Sequence, residues 1–249
     1  MQLSTPLHHW RNNRLVAYVA PLAVFMLLMT LPGLFEIAHP DVPWYRRAPE
    51  QWAYPLQTLV CGLLLLFWWS QYGWKFLRLR HVFLAAGVGL LGIFIWILPA
   101  ELHIRFGWGG SESLLRFFGL QERVGGFDPD DAPLPLLAIV LRMLRLVIIV
   151  PLVEEIFWRG FLMRYLVRPD GNYWKVPFGT HHPRAYWVTT LLITAVHQPA
   201  DWAVAFIWAS LIYVLAVRTR SLLACVLAHA VANAVLGIYV LHSGYYGFW

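Results

Sequence analysis

Six polar side chains stand where the surrounding sequence is apolar. Glu154, Glu155 and Arg159 lie within LVIIVPLVEEIFWRGFLMRYL, His197 closes TTLLITAVHQP, and His229 and Asn233 lie within CVLAHAVANAVLG. Charged and amide groups in such runs are costly unless they are paired or used. On a helix, Glu155 and Arg159 are four residues apart and share a face, so they neutralise each other. Glu154 points about 100° away and has no partner on its own helix. His229 and Asn233 again share a face. Pro151, upstream of the pair, removes a backbone donor and marks a place where the helix can bend.

These residue types suit hydrolysis. A carboxylate in apolar surroundings gains base strength, so Glu154 with His197 can hold and deprotonate a water. His229 and Asn233 can donate to the oxyanion that forms when water attacks a carbonyl. Two histidines and a carboxylate, here Glu154, His197 and His229, equally match a zinc site with an open position. The residue types alone leave both routes open. His181 and His182 fall in the polar loop GTHHPR and are read as solvated. His8, His9, His39, His81, His103 and His242 sit in loops or at span ends and receive no role.

The elements that hold these residues are membrane spans. Of 249 residues, 59% are hydrophobic and only 13% charged, against about a quarter charged in soluble domains. That is too little charge to cover a water-soluble surface. The 14 Trp and 11 Tyr suit the headgroup zone. Cys61 and Cys225 read as small hydrophobes. Apolar runs predict seven transmembrane helices, at 15–35, 54–74, 82–98, 146–166, 187–199, 203–217 and 222–241. The fifth and sixth meet at once around HQPAD, as a hairpin or re-entry. Ala85 and Gly89 offer a small-residue contact between helices. The segment 111–123 predicts a short interfacial helix, and 133–145 leads into the fourth span with Arg142 and Arg145 near its outer end.

Arg11, Arg14, Lys75, Arg78, Arg80, Arg164, Arg168, Lys175, Arg184, Arg218 and Arg220 all fall on one side if the spans alternate. The opposite loops hold most of the acids. The positive-inside rule then puts the N-terminus in the cytoplasm, and we expect a site opening towards the cytoplasmic half of the bilayer. The clustering of basic residues between spans speaks for orientation, not for nucleic acid.

The order E-E-x-x-x-R (Glu154 to Arg159), then His197, then H-x-x-x-N (His229 to Asn233) resembles the CAAX-protease and bacteriocin-processing family, the type II CAAX prenyl endopeptidases and their prokaryotic relatives. The resemblance covers residues 133–241, a catalytic core, and leaves 1–132 as N-terminal spans and an outer loop. It implies an all-helical intramembrane endopeptidase acting on a membrane-associated protein or peptide precursor. Glu154 and His197 would activate water, His229 and Asn233 would form the oxyanion site, and Glu155 and Arg159 would support them. It also implies a metal-free mechanism with no cofactor, zinc being the alternative. One departure is Ile193, where the family has Phe; this predicts an altered substrate wall.

The reading is therefore an all-α, polytopic, multi-pass membrane protease, in the plasma or inner membrane if prokaryotic. The lipid bilayer and a peptide substrate are its partners. The alternatives are a catalytically silent scaffold or immunity factor, and a proton-coupled transporter that uses the buried Glu and His residues.

Overall fold

A computed structural model describes residues 10–37, 39, 41–110, 112–123 and 125–249, so His8 and His9 lie outside it. Among the described residues the chain is helical and contains no strand. Helix α1 (Arg14–Leu28) begins at Asn13, whose side chain accepts the Val16 N–H at 3.2 Å and satisfies a donor that a helix start leaves open. Short helices α2 (Leu31–Phe35) and α3 (Trp44–Arg47) lead to α4 (Glu50–Phe67) and α5 (Leu79–Phe106). Helix α6 runs from Pro135 to Val167. It is followed by α7 (Pro183–Ala195), α8 (Trp202–Thr219) and α9 (Leu222–Ser243). Gly107 and Gly244 stop α5 and α9 at φ of 67° and 74°, where glycine carries no Cβ penalty.

Five helices among the described residues are long and apolar enough to cross a membrane: Arg14–Phe35, α5, α6, Pro199–Thr219 and α9. The protein is thus a multi-pass membrane protein. Helix α7 has 13 residues and reaches roughly 20 Å, short of a hydrocarbon core of about 30 Å. It packs against α8 as the short hairpin that HQPAD suggests, with a tight turn at Pro199–Asp201.

Several boundaries differ from the sequence reading. The second helix ends at Phe67 and not near Trp74, because the aromatic stretch WWSQYGW turns out of the helix through Trp69–Gln71 and Gly73 (φ 61°). Apolar composition does not separate an interfacial aromatic from a spanning one. The fourth helix starts at Pro135, eleven residues before 146, because Arg142 and Arg145 turn inward and do not end it. Within 111–123 only a single 3₁₀ turn forms, Leu114–Phe118, capped by Ser113 and closed by Gly119; Ser111 lies outside the described residues.

Helix α6 is the centre of the bundle. On one side Ile149, Val153 and Ile156 pack with Tyr18 and Phe25 of α1 and Cys61 of α4. On the other side Met163 joins Ile93 of α5, Ile212 of α8 and Ala228 of α9. Small residues set the closest approach. A Cβ at Gly89 would lie 2.5 Å from the Ala228 carbonyl oxygen, and one at Gly92 would lie 2.5 Å from the Trp208 ring. Leu63, Leu66, Phe83, Leu90, Phe94 and Leu136 point outwards, a surface that lipid covers and water would penalise.

Candidate active site

The local structure of α6 follows from Pro151. The helix widens into π turns at Arg145–Ile149 and again at Ile156–Leu162, a deviation that clusters at functional sites. The Val150 N–H donates to the Arg145 carbonyl, five residues back. In that register the Leu146 carbonyl would take its hydrogen bond from residue 151, and proline has no N–H to give. The orphaned oxygen is satisfied from another helix, because Asn233 Nδ2 donates to it at 2.8 Å. A backbone gap in α6 thereby fixes the rotation of α9, and with it the position of His229.

Behind the site lies a buried charge cluster. Glu155 is 3% exposed and Arg159 1%. Arg159 Nε approaches Glu155 Oε2 at 3.5 Å, and Arg159 Nη2 donates to the Ala209 carbonyl at 3.2 Å. The other oxygen, Glu155 Oε1, accepts from His229 Nδ1 at 3.1 Å. A carboxylate oxygen accepts, so the His229 ring turns its Nδ1 proton towards Glu155.

Glu154, His197, His229 and Asn233 all line one cavity of about 300 Å³. Glu155 and Arg159 stay behind its wall. His197 lies just past the end of α7, where its Nδ1 meets the Ile193 carbonyl at 2.7 Å. A carbonyl only accepts, so Nδ1 carries the proton and a neutral ring keeps its Nε2 lone pair. Trp96 stands edge-on to His197 at 5.4 Å and Trp208 edge-on to His229 at 5.5 Å. Among the described residues no three His, Cys, Asp or Glu side chains converge as a metal-binding set, including Glu154, His197 and His229.

Ile193 is 4% exposed, packs in the core and does not line the cavity. The aromatic wall comes instead from Trp96 and Trp208. His181 is not merely solvated: its Nδ1 lies 3.1 Å from the Tyr213 hydroxyl, while His182 Nδ1 accepts the Arg184 N–H and caps α7.

Several buried residues beside the site and at its rim escaped the sequence reading. Arg142 and Arg145 are each 5% exposed and not at an outer end. Arg145 donates from Nε to Gln57 Oε1 at 2.5 Å and lies 4.3 Å over the Tyr54 ring. Arg142 sits 4.8 Å over Tyr54 and 5.2 Å over Phe127. The signal was present as two arginines three residues apart in an otherwise apolar run. At the cavity mouth Arg123 pairs with Asp201 and lies 4.2 Å over Phe248. The two Arg123 contacts join segments 78 residues or more apart, beyond the reach of spacing arguments.

The mouth is formed by Arg123, Gln198, Asp201 and residues 247–249. Lys75, Arg164, Lys175 and Arg220 line a different cavity, at the start of α1 and α9 and the end of α6. The candidate cavity therefore extends from the middle of the bundle towards the end away from the basic loops. His197 lies past the end of α7 that is farther from Lys175 and Arg184, whereas Glu154, His229 and Asn233 lie near the middle of α6 and α9.

Residues 136–235 match the family model described as type II CAAX prenyl endopeptidase Rce1-like. No curated protein and no solved structure matches the chain.

Proposed function

We propose, from the match of residues 136–235 to the type II CAAX prenyl endopeptidase Rce1-like model, that this chain is a protease of the CAAX-protease and bacteriocin-processing family and hydrolyses a peptide bond of a membrane-associated protein or peptide precursor. The observation that carries this reading is the convergence of Glu154, His197, His229 and Asn233 on one cavity inside the bundle. Glu154 takes a proton from a water that His197 Nε2 also holds, and the oxygen attacks the carbonyl carbon. The carbonyl oxygen becomes an oxyanion. It accepts from cationic His229 through Nε2, and from the second hydrogen of Asn233 Nδ2, whose first is committed to Leu146. Glu154 then passes its proton to the amine as the C–N bond breaks. Glu155 Oε1 orients the His229 ring through Nδ1, and Arg159 holds Glu155.

Cleavage of a panel of quenched fluorescent peptides in detergent tests this, with Glu154→Gln, His197→Ala and His229→Ala beside the parent and a chelator arm for each. Activity that survives chelation and is lost in all three variants is the expected result. Loss to chelator with recovery on adding zinc would transfer the same residues to a metal mechanism. Undiminished activity in Glu154→Gln would sink the assignment. A transporter reading has no support in the packing: Ile156, Arg159 and Met163 fill the bundle between the two ends.

For the topology we propose seven membrane-embedded helices, α4 and α7 included, with the N-terminus cytoplasmic on the strength of the charge bias. The site then opens to the outer half of the bilayer. Residues 1–132 act as more than an anchor, since α5 supplies Gly92, Ile93 and Trp96 to the cavity wall.

A further inference from the structure

A second cavity, of about 480 Å³, lies at the opposite end of the bundle. Arg14, Lys75, Arg164, Lys175 and Arg220 line it, and among the described residues no Asp or Glu does. Orientation in a bilayer requires cations in the loops. It does not require five of them, from α1, α6 and three separate connections, to converge on one hollow.

The details point to an absent acceptor. Arg164 Nε and Trp74 Nε1 are buried and have no hydrogen-bond partner among the described residues, a costly state for two donors. Arg14 lies 5.2 Å over the Trp174 ring and Arg164 5.5 Å from the Phe178 ring, so both guanidiniums are held in place by aromatic faces. The N-terminus of α9, at Ser221–Leu223, borders the same hollow and turns its positive end that way. Arg220 is the sole described non-glycine residue with positive φ, at 50°. A position that glycine would fill without strain holds a guanidinium instead. Donors, positive charge and the missing acceptor all specify an oxyanion with several equivalent oxygens.

We propose that this cavity is a binding site for a phosphate group. The observations favour an anionic phospholipid headgroup as the source. Trp74 and Trp174 line the hollow and are of the residue type enriched at membrane interfaces, Phe76 beside Lys75 is fully exposed, and basic pockets between helices on the cytoplasmic side suit such headgroups. The occupant would sit close to the buried ion pair. Gly160, next to Arg159, lines this cavity, and a Cβ there would meet the Tyr18 ring at 2.8 Å.

The test is thermal unfolding and native mass spectrometry of the purified full chain in detergent. Phosphatidylglycerol, phosphatidylcholine and inorganic phosphate are titrated separately. Phosphatidylglycerol is expected to raise the melting temperature and stay bound, and phosphatidylcholine to do neither. The double variant Lys75→Gln/Lys175→Gln changes only loop charges. It should weaken phosphatidylglycerol binding about 30-fold, and Arg164→Gln should weaken it further if it folds. An equal response to inorganic phosphate, lost in the double variant, keeps the phosphate site and makes its ligand a soluble one. A phosphatidylglycerol response that the double variant leaves unchanged, or no response to either phosphate source, overturns the proposal.

Discussion

Glu154 and Glu155 are neighbours in sequence and differ in every contact. Glu154 faces the cavity, while Glu155 is buried between Arg159 and His229. Removing the carboxylate at the two positions should therefore give different kinds of loss. Glu154→Gln should lower the cleavage rate by roughly 10²–10⁴-fold while the melting temperature stays near that of the parent. Glu155→Ala should instead cost about 3–5 kcal/mol of stability, because it leaves the Arg159 guanidinium buried and unpaired; denaturation in detergent measures it. The pairing of Glu155 with Arg159 was legible in the sequence, since four-residue spacing on a helix puts both on one face. The tie between Glu155 and His229 was not, because nothing local brings α9 to α6. Arg142 and Arg145 were misjudged for a related reason: a positive charge near a helix end reads as orientation until aromatic rings from other segments are seen to enclose it.

At the scale of the element, α6 and α9 are coupled through one carbonyl. Asn233→Ala should strand the Leu146 oxygen and cost about 1–3 kcal/mol. Pro151→Ala supplies the N–H that the π turn lacks, so the Asn233→Ala penalty should shrink in that background. A double-mutant cycle on unfolding free energy reads the coupling, and strict additivity would contradict it. The contact between α5 and α9 is the other fixed point. Gly89→Leu, facing the Ala228 carbonyl one residue before His229, should displace α9 and lower both stability and activity, whereas Gly87→Leu, with open space around it, should do neither. Helix existence was legible from apolar runs and from Pro, Gly and cap residues. The ends were less so: WWSQYGW is aromatic and uncharged yet leaves the helix at Phe67, and the length of α6 depended on charges that fold inward.

The whole molecule has two hollow ends of different character. One carries the candidate catalytic groups with Arg123 and Asp201 beside them, and the other carries cations with no Asp or Glu among the described residues that line it. Labelling with a membrane-impermeant thiol reagent in intact cells checks the assignment of sides. With the N-terminus cytoplasmic, Gly125→Cys should react from outside and Gly73→Cys only after permeabilisation; the reverse pattern would turn the bundle over and move the candidate site to the cytoplasm. Cys61 and Cys225, both fully buried, should stay silent. The π turns of α6 carry a consequence for how its length can change. Each holds one residue more than the α-helical span it replaces. Removing a residue from an ordinary membrane helix rotates everything beyond it by about 100° and turns an inward face towards lipid. Removing Val147 would instead draw the first π turn back to α geometry and leave Arg142 and Glu154 on their present sides, so α6 should tolerate a deletion there that it would not tolerate at Leu141.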